Sequence, residues 1–485
     1  MQGSRSRGRG TVSSGILTGI STAAVSGSAA VAGVILSRKF GHGVKTDGFF
    51  AAYQLYLAVV LLASVVRVVA LPRLVRARLD GRLQAETGVW TAALLAPLLV
   101  VVALSIAWPH GLAAALTSQH GARPYAAQLL PWVIASSAAQ VLGGLVASAL
   151  AALDDYVAAA FGFAAGSVAG LVVTVALIGH GLIAFGWGLG VNGAVSLLWP
   201  LAVLLRRRGI GAPDERPWPR LVELAEGVTL PIALQGLFVV GSRFASGVGT
   251  GEQTTFAYSY LIAAFFVSLT ATSLALVTTA PFAREGESPE RAGRHVVAAT
   301  WLSLVPVAAA AGVFAVAGAV VTRHVLGSKY GGGTGAELSH LVAYLAPWMV
   351  ASVALTIAYP LLFVGGRARW LPTLAVGALL VHVPLEWAGR GLFGLAGIVA
   401  GMAVTTTAVL GVVLLGLRAL RLTLRGVAVS AALCGAVAAL AFGIPRLVIG
   451  PIPAAVVGLV VYAAVVVLWR PLGLRHAWAY VHGLQ

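Results

Sequence analysis

LSRKFGHGVKTDGFFAAYQLYLAVVLLASVVRVVALPRLVRAR, residues 36–78, decides the reading of this chain. An apolar segment ends at a turn that carries Arg38, Lys39, Lys45 and Asp47. A second apolar segment then runs from Phe49 to Leu71, long enough to cross a hydrocarbon layer of about 30 Å. It holds one charge, Arg67, and stops at Pro72, Arg73, Arg76 and Arg78. The pattern is a membrane hairpin.

The pattern recurs. FASGVGTGEQTTFAYSYLIAAFFVSLTATSLALVTTAPFAR occupies 244–284, and its Glu252 and Tyr258 stand 205 residues after Asp47 and Tyr53. Pro281 stands 209 after Pro72. Two weaker echoes follow in the same order: Pro131-Trp132 with Pro347-Trp348, and Gly190–Gly193 with Gly394–Gly397. A period of this length in an apolar chain predicts two similar halves in parallel orientation.

Composition agrees. Of 485 residues, 59% are hydrophobic and 10% charged, a polytopic membrane composition. The formal net charge of +17 sits in short loops between apolar runs, which suits anionic lipid headgroups and excludes nucleic acid as partner. Cys434 is the single cysteine, so no disulfide or thiolate metal site forms within one chain. The ten histidines show no metal-ligand spacing, and no nucleophile motif, phosphate loop or dinucleotide fingerprint stands in a credible context. The chain reads as no enzyme, with no cofactor.

Fourteen apolar spans are expected, near 14–37, 49–71, 88–108, 125–151, 156–179, 182–205, 222–247, 254–282, 295–322, 338–364, 370–389, 392–417, 424–444 and 450–469. With the amino terminus inside, 22 of the 32 Lys and Arg fall inside, eight outside, and Arg67 and Arg243 within spans. That bias predicts both termini on the cytoplasmic side of a bacterial cell membrane. The expected organisation is an amino-terminal lobe over 1–205, a basic, proline-rich linker over 206–221, a second six-span lobe over 222–417, and spans thirteen and fourteen with a tail over 418–485. The fold class is all-α: two pseudo-symmetric six-helix lobes and two extra helices.

Charges inside a bilayer cost roughly 2.5–3.5 kcal/mol at a helix centre, so each raises a functional question. Arg67 and Arg243 lie about one turn from a span end, and either line a cavity or snorkel to the headgroups. Arg38 and Lys39, with Lys45 and Asp47, form an outer cationic cluster where the inside bias disfavours one. It is either a solvated turn with Asp47 capping the helix, or a phosphate clamp built on a guanidinium fork. Glu252 holds the repeated acidic position. Glu223 and Glu226 are expected to pair with Arg220, and Asp154 and Asp155 to cap the fifth span. Gly162, Gly166 and Gly170 mark a close helix contact.

The stretch Ser37-Arg-Lys-Phe-Gly-His-Gly-Val-Lys-Thr-Asp-Gly-Phe-Phe-Ala-Ala-Tyr53 resembles the first hairpin of lipid II flippases, in the multidrug/oligosaccharidyl-lipid/polysaccharide superfamily. Gly241–Tyr258 and Pro281–Arg284 resemble that family's second-half hairpin. The resemblance implies two lobes around a cavity that opens alternately to each face, and a groove for a lipid tail at spans thirteen and fourteen. It carries over Arg38 and Asp47 as cavity-mouth residues. The chain departs from the lipid II pattern at Ala32, Leu55–Val60 and Tyr260, and so resembles the O-antigen and capsule flippases as well. The expected function is translocation of a polyprenyl-diphosphate glycan lipid by a monomer, with the glycan and any coupling ion left open. The rivals are a cation-coupled multidrug antiporter, opposed by the lack of a deep carboxylate in spans one to six, and a membrane glycosyltransferase or O-antigen ligase, opposed by the short outer loops.

Overall fold

The computed structural model describes residues 21, 24–207, 209–272, 288–364, 368–469 and 474–482. Arg5, Arg7 and Arg9, and the Pro281–Arg284 motif, lie outside them. The described residues are helical almost throughout, joined by short turns. Among the described residues ten helices are long and apolar enough to cross a membrane, or eleven when Gly332–Tyr344 and Ala346–Leu362, bent by 42°, count as one span. The chain is a multi-pass membrane protein.

Two features reconcile this count with fourteen spans. Leu371–Gly416 has 46 residues, about 69 Å of helix and far more than one crossing requires. It reverses at Gly394, whose φ of 58° is open to glycine and strained for other residues. Beyond that point Gly397 lies back against Gly389, Gly401 against Glu386, and Thr405 against His382, an antiparallel hairpin. The remaining two expected spans fall on helix 24–40 and on the helix Tyr156–Ala176, which holds the shorter apolar stretch Ala160–Ala176.

The chain forms two compact units, Met1–Val239 and Val240–Gln485. In the first, α1 (24–40) turns into α2 (Val44–Leu79), followed by α3 (Leu83–Ala107), the short α4 (Pro109–Leu116), α5 (Arg123–Ala152), α6 (Tyr156–Ala176), α7 (Ile183–Arg207) and most of α8 (Trp218–Ala245). Helix α5 is the most buried and carries α2, α3 and α7 around it. The expected glycine face is a helix contact: a Cβ at Gly170 would overlap Gly188 in α7, and Gly166 lies against Asn192 and Ser196. Asp155 caps α6 as expected, accepting from the Ala158 N–H at 3.2 Å. Asp154 instead pairs with Arg78 at 2.6 Å.

The second unit contains α9 (Glu252–Val267), α10 (Pro289–Leu326), α11 (Gly332–Tyr344), α12 (Ala346–Val364), α13 (Leu371–Gly416, the hairpin), α14 (Leu420–Val448), α15 (Pro451–Ala464) and α16 (Leu474–His482). Helices α14 and α15, spans thirteen and fourteen, pack against α10. Phe442 seats against Gly312 and Gly458, and the Tyr462 hydroxyl donates to the Val305 carbonyl at 3.0 Å.

Two repeat details differ from the sequence reading. Gly190 lies inside α7, beneath Trp132, whereas Gly394 is a chain reversal, so this echo is not structural equivalence. Glu252 opens α9, while Asp47 is the fourth residue of α2.

Candidate functional site

The first hairpin turn is set by Gly43 and Thr46. Gly43 precedes α2, and the Thr46 hydroxyl accepts from the Gly43 N–H at 3.1 Å while donating to its carbonyl at 2.8 Å. Thr46 thus closes the turn as the reciprocal member of a capping box. Asp47 follows with no exposed surface, and Gly48 brings α2 directly onto Ala122 and Tyr125 of α5. Arg38, Lys39 and Lys45 are exposed around this buried acid. Arg67 is exposed, with its guanidinium carbon 5.8 Å from the centre of the Phe163 ring in α6, a cation–π contact.

At the other end of the first unit lies an ion-pair network. The Arg220 Nε donates to Glu86 Oε1 at 2.9 Å and a second guanidinium nitrogen to Oε2 at 3.1 Å, with both side chains only 10% exposed. The Trp90 indole N–H also donates to Glu86 Oε1, at 3.0 Å. Arg73 binds both carboxylate oxygens of Glu223. The expected Arg220–Glu223 pair is present at 3.8 Å, though each group has a closer partner elsewhere, while Glu226 is exposed. Arg82 pairs with Asp214 at 2.6 Å and Glu215 at 3.2 Å, and these bonds hold the Asp214 carboxyl below the usual carboxylate range. The linker is therefore docked on the first unit. Its Gly211 N–H donates to the Gln84 carbonyl at 3.0 Å, and Gly88 leaves room for the Gly211 carbonyl.

In the second unit, the turn between α8 and α9 is braced by a residue the sequence reading left in a loop. Arg390, near the end of the first arm of α13, donates to the Gly247 carbonyl. Arg243 and Glu252, both half-buried, flank that turn.

The reading of spans one to six also left unexamined a buried acid in span eleven. His382 and Glu386 have no exposed surface, and His382 Nε2 lies 3.2 Å from Glu386 Oε1. The other ring nitrogen is 3.0 Å from the Thr405 hydroxyl, which donates its own proton to the Gly401 carbonyl at 2.9 Å. Thr405 thus accepts, and His382 Nδ1 carries a hydrogen. In a neutral imidazole this leaves Nε2 a lone pair facing Glu386. A further proton between them, on either partner, removes that clash. The i,i+4 spacing in HVPLE was the available signal.

An apolar cleft of about 320 Å³ lies between α10, α11, α12 and α14, lined by residues such as Leu304, Ala311, Ala346, Cys434, Ala438 and Phe442. Span thirteen lines this cleft and span fourteen does not. Among the described residues no group of three or more His, Cys, Asp or Glu could hold a metal ion.

This is the fold of the multidrug/oligosaccharidyl-lipid/polysaccharide superfamily. The lipid II flippase MurJ, in an inward closed conformation, superposes with a TM-score of 0.72 over 94% of this chain and 99% of its own, at 13% identity. An inward-facing multidrug resistance transporter of that superfamily gives 0.65 over 82% of this chain and 94% of its own, at 14% identity. A superfamily transporter from Pyrococcus furiosus, whose binding pocket has reverse polarity, gives 0.59 over 84% and 94%, also at 14% identity. No protein-family model matches the chain, and no curated protein matches it in sequence.

Proposed function

We propose that this chain is a flippase that carries a polyprenyl-diphosphate-linked glycan from the inner to the outer leaflet of a bacterial cell membrane by alternating access. The observation that carries the reading is the extent of the fold match. Similarity to a lipid flippase runs along 94% of the chain, against 82–86% for the multidrug and related transporters. A substrate with a long prenyl tail gives the α14–α15 pair a use. The apolar cleft beside α14 supports this, since a tail seated there stays out of water.

The physical task is specific. Sugars and a diphosphate cannot enter hydrocarbon unsolvated, so the protein must replace their water with polar and cationic groups. Arg38 and Lys39, exposed at an outer turn over the buried Asp47, are proposed as the phosphate contacts there, with Arg67, Arg243 and Glu252 as further substrate contacts. Moving two negative charges outward gains roughly 4–5 kcal/mol at 100 mV, inside negative, so transport needs no nucleotide. Residues 1–205 and 222–417 act as the two lobes of a monomer, with 418–485 appended and both termini cytoplasmic. Complementation of a strain depleted of its own glycan-lipid flippase tests the reading: wild type restores growth, Arg38→Ala at equal protein level does not, and Arg38→Lys restores it partly, because the bidentate fork is lost.

The His382–Glu386 pair also favours a second reading, cation-coupled exchange, since a buried titratable couple can take up and release a proton during the cycle.

A further inference from the structure

We propose that the inner end of the second unit carries a binding site for a lipid phosphate, formed by Arg421 and Arg425 beside Trp301 in one cavity, distinct from the outer-turn cations. The site adjoins a cavity of about 650 Å³ between α10 and α14, lined by Val297, Trp301, Arg421, Leu422, Arg425, Gly426 and Val429.

Three observations converge. In the first unit, Arg73, Arg78, Arg82, Arg207 and Arg220 are each paired with a carboxylate. Arg421 and Arg425 have no hydrogen-bond or ion-pair partner among the described residues. They stand one turn apart at the start of α14, where like charges repel and the helix dipole already presents its positive end. Two cations in that setting are unfavourable until an anion joins them.

The second observation is access. Both arginines are exposed, and so are Leu422 and Val429 beside them, in a helix that otherwise runs apolar for the length of a membrane crossing. The cavity mouth therefore faces the lipid phase. Arg421 and Arg425 lie within the first two turns of α14, less than about 10 Å from its start, which is headgroup depth. An anion arriving there comes on a lipid rather than from bulk solution.

The third is shape. Trp301, 4% exposed, lines the cavity, and Gly426 lets Val297 approach closely. Two guanidinium groups and an indole lining one cavity suit a phosphate ester with the first methylenes of its tail. Basic pockets between membrane helices on the inner side bind phosphate headgroups in this way. The phosphate belongs either to an anionic phospholipid or to a prenyl diphosphate, and the chemistry of capture is the same.

Native mass spectrometry of the purified full-length chain in detergent tests the site, with dioleoylphosphatidylglycerol and dioleoylphosphatidylcholine as probes. Wild type is expected to hold phosphatidylglycerol saturably and in preference to phosphatidylcholine. R421Q/R425Q is expected to lose about 25-fold in phosphatidylglycerol affinity, from about fivefold per arginine. R421K/R425K keeps most of it, and R446Q, at the far end of α14, keeps all. Wild-type binding should also weaken as salt rises, a readout that needs no variant to fold. Displacement of phosphatidylglycerol by farnesyl diphosphate assigns the site to prenyl diphosphates, and failure to displace assigns it to phospholipid. Equal phosphatidylglycerol affinity in wild type and R421Q/R425Q, or no preference over phosphatidylcholine, overturns the proposal. None of these readouts requires flipping, so the site and the proposed transport function fail or stand separately.

Discussion

Removing Glu86 should loosen the first unit more than any surface charge does. The carboxylate accepts two bonds from Arg220 and one from Trp90, and it and Arg220 are each only 10% exposed. Breaking a buried pair from one side costs about 3–5 kcal/mol, because the remaining charge stays desolvated. Arg220 keeps a partial substitute in Glu215 at 3.1 Å, itself half-exposed, so Glu86→Ala should fall near 3 kcal/mol. Arg220→Ala should cost as much, since Glu86 then keeps only the indole. The double variant strands neither charge, and the coupling in the cycle should therefore be at least about 1.5 kcal/mol. The assay is unfolding in a mixed-micelle denaturant titration, with hydrogen exchange over residues 83–90 and 209–224 as the local readout. Additivity of the two single changes within about 0.5 kcal/mol would refute the reasoning and reduce the network to surface decoration.

Gly397→Leu should sharply lower the yield of folded protein in fluorescence-detected size exclusion, because its Cβ would overlap the Gly389 carbonyl and force the α13 hairpin apart, at about 3 kcal/mol or more. His382→Leu strands the Glu386 carboxyl and should cost about 3–5 kcal/mol in the same unfolding titration, whereas His382→Leu with Glu386→Gln should recover much of that loss. The Arg82–Asp214 link has a depressed carboxyl, so its contribution is fully present above the unfolded value near 3.8 and disappears as pH falls through the lower folded value. Exchange in the linker should accelerate in that acid window in wild type, and should be fast at neutral pH in Asp214→Asn.

The span count was legible because about twenty apolar residues per crossing is a strong signal, and the spans expected near 370–389 and 392–417 correspond to the two arms of α13. The Asp155 cap and the glycine face of α6 were legible because each depends on residues within one or two helices. Partners distant in sequence were not. Arg220 sits three residues from Glu223, yet its best acid is Glu86, 134 positions away, and Glu223 belongs to Arg73. Asp47 read as a cap by residue type, but Thr46 occupies the position from which a hydroxyl reaches Gly43. Glu386 was hidden by its surroundings, since one acid in a weak span looks like a span end until His382 and Thr405 are seen closing over it. The Gly190 and Gly394 motifs look alike because glycine serves both helix contact and chain reversal, and only φ separates the two.

The central claim is tested most directly by translocation in proteoliposomes. The purified chain is reconstituted with a polyprenyl-diphosphate glycan, an inside-negative potential is imposed, and the glycan reaching the outer leaflet is followed by its cleavage with an externally added glycosidase. The account predicts that cleavage passes the fraction initially outside, runs faster with the potential than without it, and is slowed in Arg38→Ala vesicles of equal protein content. Cleavage that stops at the outer-leaflet fraction, as in protein-free vesicles, would contradict it.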